Sequence, residues 1–197
     1  MTYVRVEKII PTREEAFELL KKYNQNDSLI KHALAVEAVM LHFAGILGEP
    51  DREKWGIIGL VHDVDYEMYP EQHCKKAKEI LTKLNWDEEY IHAVESHGWG
   101  LCSEVEPVHR MEKVLYTIDE LTGLIAATAL LRPSRSVLDL ETKSVKKKWK
   151  QKSFAAGVNR EIIEQGAALL EMELDYIIGE TIKGMREAAD TILNTID

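Results

Sequence analysis

Apolar positions along the chain recur every three to four residues rather than every second one. The breaks between these runs carry capping residues, so the pattern predicts helices almost throughout. Thr12 and Glu15 have the spacing of a capping box, ahead of a first helix whose apolar stripe is Ala16, Leu19 and Leu20. Asn26 or Asp27 caps a second helix from Ser28 to about Leu47, closed by Gly48 and Pro50. Leu29, Ile30, Leu34, Val36, Val39, Met40, Phe43 and Ile46 make it apolar nearly all round, the pattern of a helix at the centre of a core. Asp51 caps a third helix that ends at His62 and Asp63, and Pro70 opens a fourth reaching about Leu84, where Asn85 fits its end. Asp87 caps a fifth, with Trp86 and Ile91 placed as a hydrophobic staple and Gly98 closing it. A Gly- and Pro-containing loop leads to a long helix from about Val108 to Leu131, stopped by Pro133. Asn159 caps a further helix. From Glu161 to Leu193 the pattern is two amphipathic helices, packing on the core or making a dimer contact, and Gly179 and Gly184 would weaken the last one if it stood alone. Strand character is confined to Tyr3–Ile10. The expectation is an all-α bundle, one domain over 1–197, with a core at roughly 12–131 and a C-terminal helical extension at roughly 134–197.

Composition narrows the function classes. A chain of 197 residues is long enough for one domain with a real core. No segment reads as a membrane span, and Met1–Lys8 carries charges where a signal peptide is apolar, so a cytoplasmic protein with no membrane partner is expected. Only two cysteines occur, Cys74 and Cys102, which argues against a disulfide scaffold and for a reducing compartment. Neither has a second thiol near it in the sequence, so small buried or half-buried thiols are expected. The net charge of -9 argues against broad, sequence-independent nucleic-acid binding, and no nucleic-acid partner is expected.

One local feature breaks the apolar pattern. In Gly59-Leu60-Val61-His62-Asp63-Val64-Asp65-Tyr66 a His-Asp pair ends an otherwise apolar helical run. A buried carboxylate without a partner is costly, and a divalent cation would compensate both residues, since imidazole nitrogen and carboxylate oxygen are its natural ligands. Further candidates follow in order: His32 upstream, then His73, His97 and Asp119 downstream. On the expected helices His32 falls with Leu29 and Val36, and His62 with Trp55 and Ile58. His73 falls in the first turn of its helix with Ala77, Ile80 and Leu84, His97 with Tyr90 and Val94, and Asp119 beside Leu115 and Ile118. Each alone has a plain explanation. His-Asp pairs occur by chance, histidines near helix ends are often exposed, and Asp119 can cap a helix or pair with Lys113 or Lys143. The ordered set on inward faces is what a helical metal site requires. His42, His92 and His109 are read as surface or structural.

The series His, His-Asp, His, His, Asp, spanning roughly Ser28 to Gly123, resembles the HD superfamily of metal-dependent phosphohydrolases. The resemblance implies a helical hydrolase that binds one or two divalent metals (Mn, Fe, Zn, Mg, Co or Ni). Such an enzyme cleaves a small phosphate ester or nucleotide with a metal-bound hydroxide. It puts His32, His62, Asp63 and Asp119 on one ion. His73 in Pro70-Glu71-Gln72-His73 and His97 in Val94-Glu95-Ser96-His97-Gly98 match the branch with two extra histidines, in which Asp63 bridges to a second ion and is catalytic. The chain departs from the superfamily at Asp65, where glycine is common, and at Tyr66, where nucleotidases often carry glutamate. Asp65 is therefore read two ways: as a catalytic or histidine-orienting acid, or as a turn residue. The alternatives to a phosphohydrolase are a non-catalytic ligand- or protein-binding module on the same scaffold, and a di-iron oxygenase.

A second charge feature lies further on. Lys143, Lys146, Lys147, Lys148, Lys150 and Lys152 concentrate positive charge in an acidic chain. A solvated helix face is the default reading. The functional one makes them a rim that attracts a small phosphorylated substrate, with Lys152 or Arg160 as substrate-binding groups on a phosphate oxygen.

Overall fold

The computed structural model describes residues 7–189, which form nine α-helices and no named strand among the described residues. The helices are α1 (Arg13–Tyr23), α2 (Asp27–Ile46), α3 (Arg52–Val61), α4 (Lys75–Lys83) and α5 (Glu88–Ser96), then α6 (Arg110–Leu130), α7 (Thr142–Trp149), α8 (Arg160–Leu170) and α9 (Leu174–Glu187). The caps follow the sequence logic. Thr12 and Glu15 close a reciprocal capping box, and the Asn26, Asp51, Asp87 and Asn159 side chains accept N–H groups at the starts of α2, α3, α5 and α8.

The apolar α2 is the axis of the fold, with α3, α6 and α9 packed around it. Its Val36, Val39, Met40 and Phe43 are fully buried. By length and composition α2 would suit a membrane, but here its apolar surface is covered by its neighbours. Two glycines permit the close crossings. A Cβ at Gly59 on α3 would meet Met40 Cγ at 2.9 Å and the Val36 carbonyl oxygen at 3.1 Å. A Cβ at Gly184 on α9 would lie 2.9 Å from Val39 Cα, so this glycine lets α9 pack closely on α2. Of the C-terminal helices, α8 packs on α6 and α9 on α2 and α6.

Two expectations change. The fourth helix does not open at Pro70. Pro70–Gln72 form a 3-10 turn and α4 begins only at Lys75. Between them Cys74 has φ 64° and ψ -46°, and the Lys75 N–H donates to the His73 carbonyl at 2.8 Å, a positive-φ γ-turn of the rare, strained kind. His73 thus precedes its helix instead of lying in its first turn. The strand expected over Tyr3–Ile10 falls partly outside the described residues, and its described end makes a single bridge between Ile9 and Trp86. There the Ile9 N–H donates to Asn85 O at 2.8 Å and the Asp87 N–H to Ile9 O at 2.9 Å. The last part of the expected final helix, up to Leu193, also lies outside the described residues.

Candidate metal centre

Five separate segments deliver the six candidate ligands to one place. His32 comes from the second turn of α2, His62 caps the end of α3 with Asp63 next to it, and Asp119 projects from the middle of α6. His73 follows the 3-10 turn and His97 caps the end of α5. Ligand atoms of His32, His62, Asp63 and Asp119 all lie within 4.8 Å of one another. His32 Nε2 is 2.9 Å from Asp119 Oδ1 and 3.8 Å from Asp63 Oδ2. His62 Nε2 is 3.3 Å from Asp119 Oδ1 and 3.4 Å from Asp63 Oδ2. The other oxygen, Asp63 Oδ1, faces His73 Nε2 at 3.3 Å and His97 Nε2 at 3.5 Å. Ligands bonded to one ion at about 2.1 Å stand roughly 3.0–3.4 Å from each other in octahedral or tetrahedral arrays, so most of these separations lie near the edges of such a shell, and His32 to Asp63 is longer.

The imidazoles are oriented for a cation. His62 Nδ1–H donates to Gly59 O at 2.8 Å, His97 Nδ1–H to Val94 O, and His73 Nδ1–H to Asp65 Oδ1 at 2.7 Å. Fixing the proton on Nδ1 leaves each Nε2 with a lone pair aimed inward. His62 Nε2 is buried with no hydrogen-bond partner among the described residues. His73 Nε2 and His97 Nε2 face each other at 3.1 Å, and two lone pairs at that distance repel unless positive charge stands between them. A divalent cation held by these side chains would satisfy both requirements, so the donor set fits the implied metal.

The electrostatics of the cluster point the same way. Burial opposes charge on His62, but the carboxylates of Asp63 and Asp119 outweigh it and hold the imidazole well above its usual pKa of 6.5. Burial likewise opposes charge on Asp119 and Asp63. The His62 charge and the neighbouring imidazoles outweigh it and hold both carboxyls well below the usual range.

Asp65 is wholly buried behind His73, with Oδ1 on His73 Nδ1 and Oδ2 accepting the Ala77 N–H at 2.8 Å. Asp65 does lie in a turn, and both its oxygens are engaged away from the pocket, the placement of an acid that orients His73. An open pocket of about 380 Å³ lies over the cluster. Its walls include Tyr66, Leu101, Cys102 and Glu120, with Gly157, Val158 and Ile162 on the far side. Tyr66 sets its ring edge-on to His73, centroids 5.1 Å apart. Glu120 Oε2 accepts the Asn159 N–H at 3.0 Å, tying the loop before α8 to α6, and burial raises its carboxyl above the usual range. Of these wall residues only Tyr66 was singled out by its motif position; Glu120 was missed, although a second acid beside Asp119 in an apolar helix was a signal for it.

The pocket lining includes neither Arg160 nor Lys152, the expected substrate-binding groups. Arg160 donates to the carbonyls of Trp149, Gln151, Phe154 and Val158, the closest at 2.7 Å, so its guanidinium is committed to its own loop. Lys152 is exposed and stands outside the pocket lining, and among the described lining residues there is no Lys or Arg. Of the other lysines, Lys143 pairs with Glu141 and Lys146 with Asp175, as a solvated helix face would. His42 bridges Glu180 and Glu187, His92 bonds Glu112, and His109 caps α6, all structural positions.

The chain is an all-helical bundle that gathers four histidines and two aspartates, groups that could hold a metal, at one site beside the pocket. The chain matches the HD domain family over residues 29–134, more than half its length, and belongs to that family. HD domain proteins bind divalent metals, and the family's activity is of the metal-dependent phosphohydrolase type. A curated relative, the tRNA (cytidine(56)-2'-O)-methyltransferase of Picrophilus torridus, is 30% identical over 106 residues, 53% of this chain and 31% of that protein. The chain thus spans about a third of that relative's length. No solved structure matches.

Proposed function

We propose that the protein is a two-metal phosphohydrolase acting on a small phosphate ester. The observation that carries this reading is the division of Asp63. Its Oδ2 faces His32 and His62 while its Oδ1 faces His73 and His97, the disposition of a carboxylate shared between two ions. His32, His62, Asp63 and Asp119 would hold one ion, and Asp63, His73 and His97 the other. Bound there, such ions polarise a phosphoryl oxygen and make water a nucleophile near neutral pH.

The protein's own groups complete the site. Asp65 fixes the tautomer and plane of His73, Gly59 and Val94 carbonyls do the same for His62 and His97, and the packed α2–α3 crossing holds His62 in place. Four neutral imidazoles and two carboxylates carry two negative charges, so two divalent ions leave the centre net positive. That excess attracts a phosphate dianion in a pocket whose described walls contribute no Lys or Arg. Tyr66, Leu101, Val158 and Ile162 offer an apolar surface to the group that departs. The methyltransferase name of the relative describes a protein most of which lies outside the match, and this reading does not draw on it.

The test is metal analysis of purified protein together with a metal-supplemented screen of generic and nucleotide phosphates, with Asp63→Ala as the blank. Two equivalents of metal and turnover absent from the blank are expected. His73→Ala or His97→Ala should halve the metal while the fold persists. Wild type indistinguishable from the blank on every ester overturns the hydrolase reading in favour of a binding module. Colour from bound iron with oxygen uptake would favour an oxygenase.

A further inference from the structure

Cys74 and Cys102 are 28 positions apart in the chain, yet their Sγ atoms lie 2.9 Å from each other. Both are free thiols. They meet above Gly98, where an added Cβ would fall 2.5 Å from Cys74 Sγ and 2.3 Å from Cys102 Sγ. The absence of a side chain at Gly98 is what leaves the space that both sulfurs fill.

Each thiol is held by its own backbone device. Cys74, fully buried, sits at the centre of the strained γ-turn between the 3-10 turn and α4. Strain of this kind persists where the surroundings over-determine it, and it gathers at functional positions. Cys102 stands in a tight loop in which the N–H groups of Leu101, Cys102 and Ser103 all converge on the Gly98 carbonyl, at 3.0–3.1 Å. Cys102 is exposed and, with Leu101, lines the pocket. One thiol is therefore reachable from solvent while the other waits directly behind it. That is the arrangement of an attacking and a resolving cysteine.

We propose that Cys74 and Cys102 form a reversible redox site in the wall of the pocket, converted by a peroxide to an intramolecular disulfide. The Cys102 sulfur attacks one peroxide oxygen and the O–O bond breaks, giving a sulfenic acid on Cys102 and releasing water. The Cys74 sulfur then attacks the Cys102 sulfur, the S–O bond breaks, and the departing hydroxide takes the Cys74 proton to leave a second water. Two thiols are oxidised by two electrons, and one peroxide is reduced to two waters. The sulfurs need approach by only about 1 Å to bond, and exchange with a dithiol reductant reverses the step. The new bond ties Leu101 and Cys102 to the residue that follows His73, so the wall of the pocket becomes one covalent ring. This inference stands on the thiol geometry and does not depend on what the pocket binds.

The test is titration of the purified protein with hydrogen peroxide, read by free-thiol count and intact mass. Both thiols should vanish together near one equivalent, with loss of two hydrogens and no added oxygen, and dithiothreitol should restore them. In Cys74→Ser, Cys102 should instead gain one oxygen that dimedone traps. In Cys102→Ser, the buried Cys74 should stay reduced. Gly98→Ala, which must push the sulfurs apart, should slow disulfide formation about tenfold or more. If that variant does not fold, the two serine variants decide alone. Thiols that stay free, a sulfinic acid on Cys102 beside an untouched Cys74, or disulfides formed only between molecules would each overturn the proposal.

Discussion

Asp65 Oδ1 lies 2.7 Å from His73 Nδ1, and the carboxylate that makes this bond is fully buried and reaches no solvent in the pocket. Replacing Asp65 with Ala frees the His73 imidazole to rotate and to change tautomer. Affinity for an ion on the His73 and His97 side should fall about 10–100-fold. Metal titration of Asp65→Ala checks this, and activity lost at limiting metal should return at saturating metal. Activity that stays absent with the site full would mean that Asp65 takes part in the chemistry itself.

A ligand that binds only the folded protein stabilises it by about 2.7 kcal/mol at a hundred times its dissociation constant. For a chain of this size, added Mn or Zn should therefore raise the melting temperature of chelator-treated protein by roughly 5–10 °C. His62→Ala and Asp63→Ala should respond little or not at all. Equal shifts in wild type and in both variants would place the bound ion somewhere other than this cluster.

The metal-free protein should show its own pH signature. His62 is raised above 6.5 by Asp63 and Asp119, so its contribution to stability is complete below pH 6.5 and is lost as pH rises through the raised folded value. Asp119 is depressed below 3.8, so its contribution is present above pH 3.8 and is lost as pH falls through the folded value. Melting temperature without metal should thus decline on the alkaline side of neutrality. Added metal should reverse that decline, because deprotonated imidazoles are what the ion binds. Parallel pH curves with and without metal would contradict the linkage.

Arg160 holds the loop before α8 through four carbonyls, and charged donors make the stronger kind of hydrogen bond. Arg160→Ala should cost roughly 2–4 kcal/mol in urea denaturation. Arg160→Lys should recover little of it, since a point charge cannot serve four divergent acceptors. A stable Arg160→Ala protein with only a raised KM would restore the phosphate-gripping role.

At Gly59 a methyl group would press on Met40 Cγ and on the α2 backbone, 3.2 Å from Glu37 Cα. Gly59→Ala should cost roughly 1–3 kcal/mol by overpacking. It should also lower bound metal, because the Gly59 carbonyl that anchors His62 moves with the helix. Calorimetry alongside metal analysis separates the two effects.

Most of the helices were legible because they carry their own punctuation, whereas α4, α7 and α9 begin without a side-chain cap and α7 was not foreseen. Thr12 with Glu15, Asn26, Asp51, Asp87 and Asn159 all cap as their spacing implies. The gathering of His32, His62, His73, His97, Asp63 and Asp119 was legible because an ionisable residue on an apolar helical face has to meet a partner. The break at Cys74 was not, since Pro70 is a good helix opener and nothing local announces a positive φ at a cysteine. The engagement of Arg160 was equally hidden. Its partners are backbone carbonyls, which every residue has and no sequence pattern marks. Nearness of Cys74 to Cys102 depends on how α4 and α5 pack, a relation that spacing along the chain does not encode.

Every residue of the cluster falls between positions 32 and 119, inside the stretch that defines the family, whereas Gly157, Val158 and Ile162 on the opposite wall lie beyond residue 134. The tool and its fitting are thus written in different parts of the chain. A segment around 149–162 transplanted from a cousin with other tastes would leave the histidine and aspartate cluster untouched and change only what is admitted. The strap that Arg160 makes, drawn entirely from its own neighbourhood, is what would let such a graft travel as a unit.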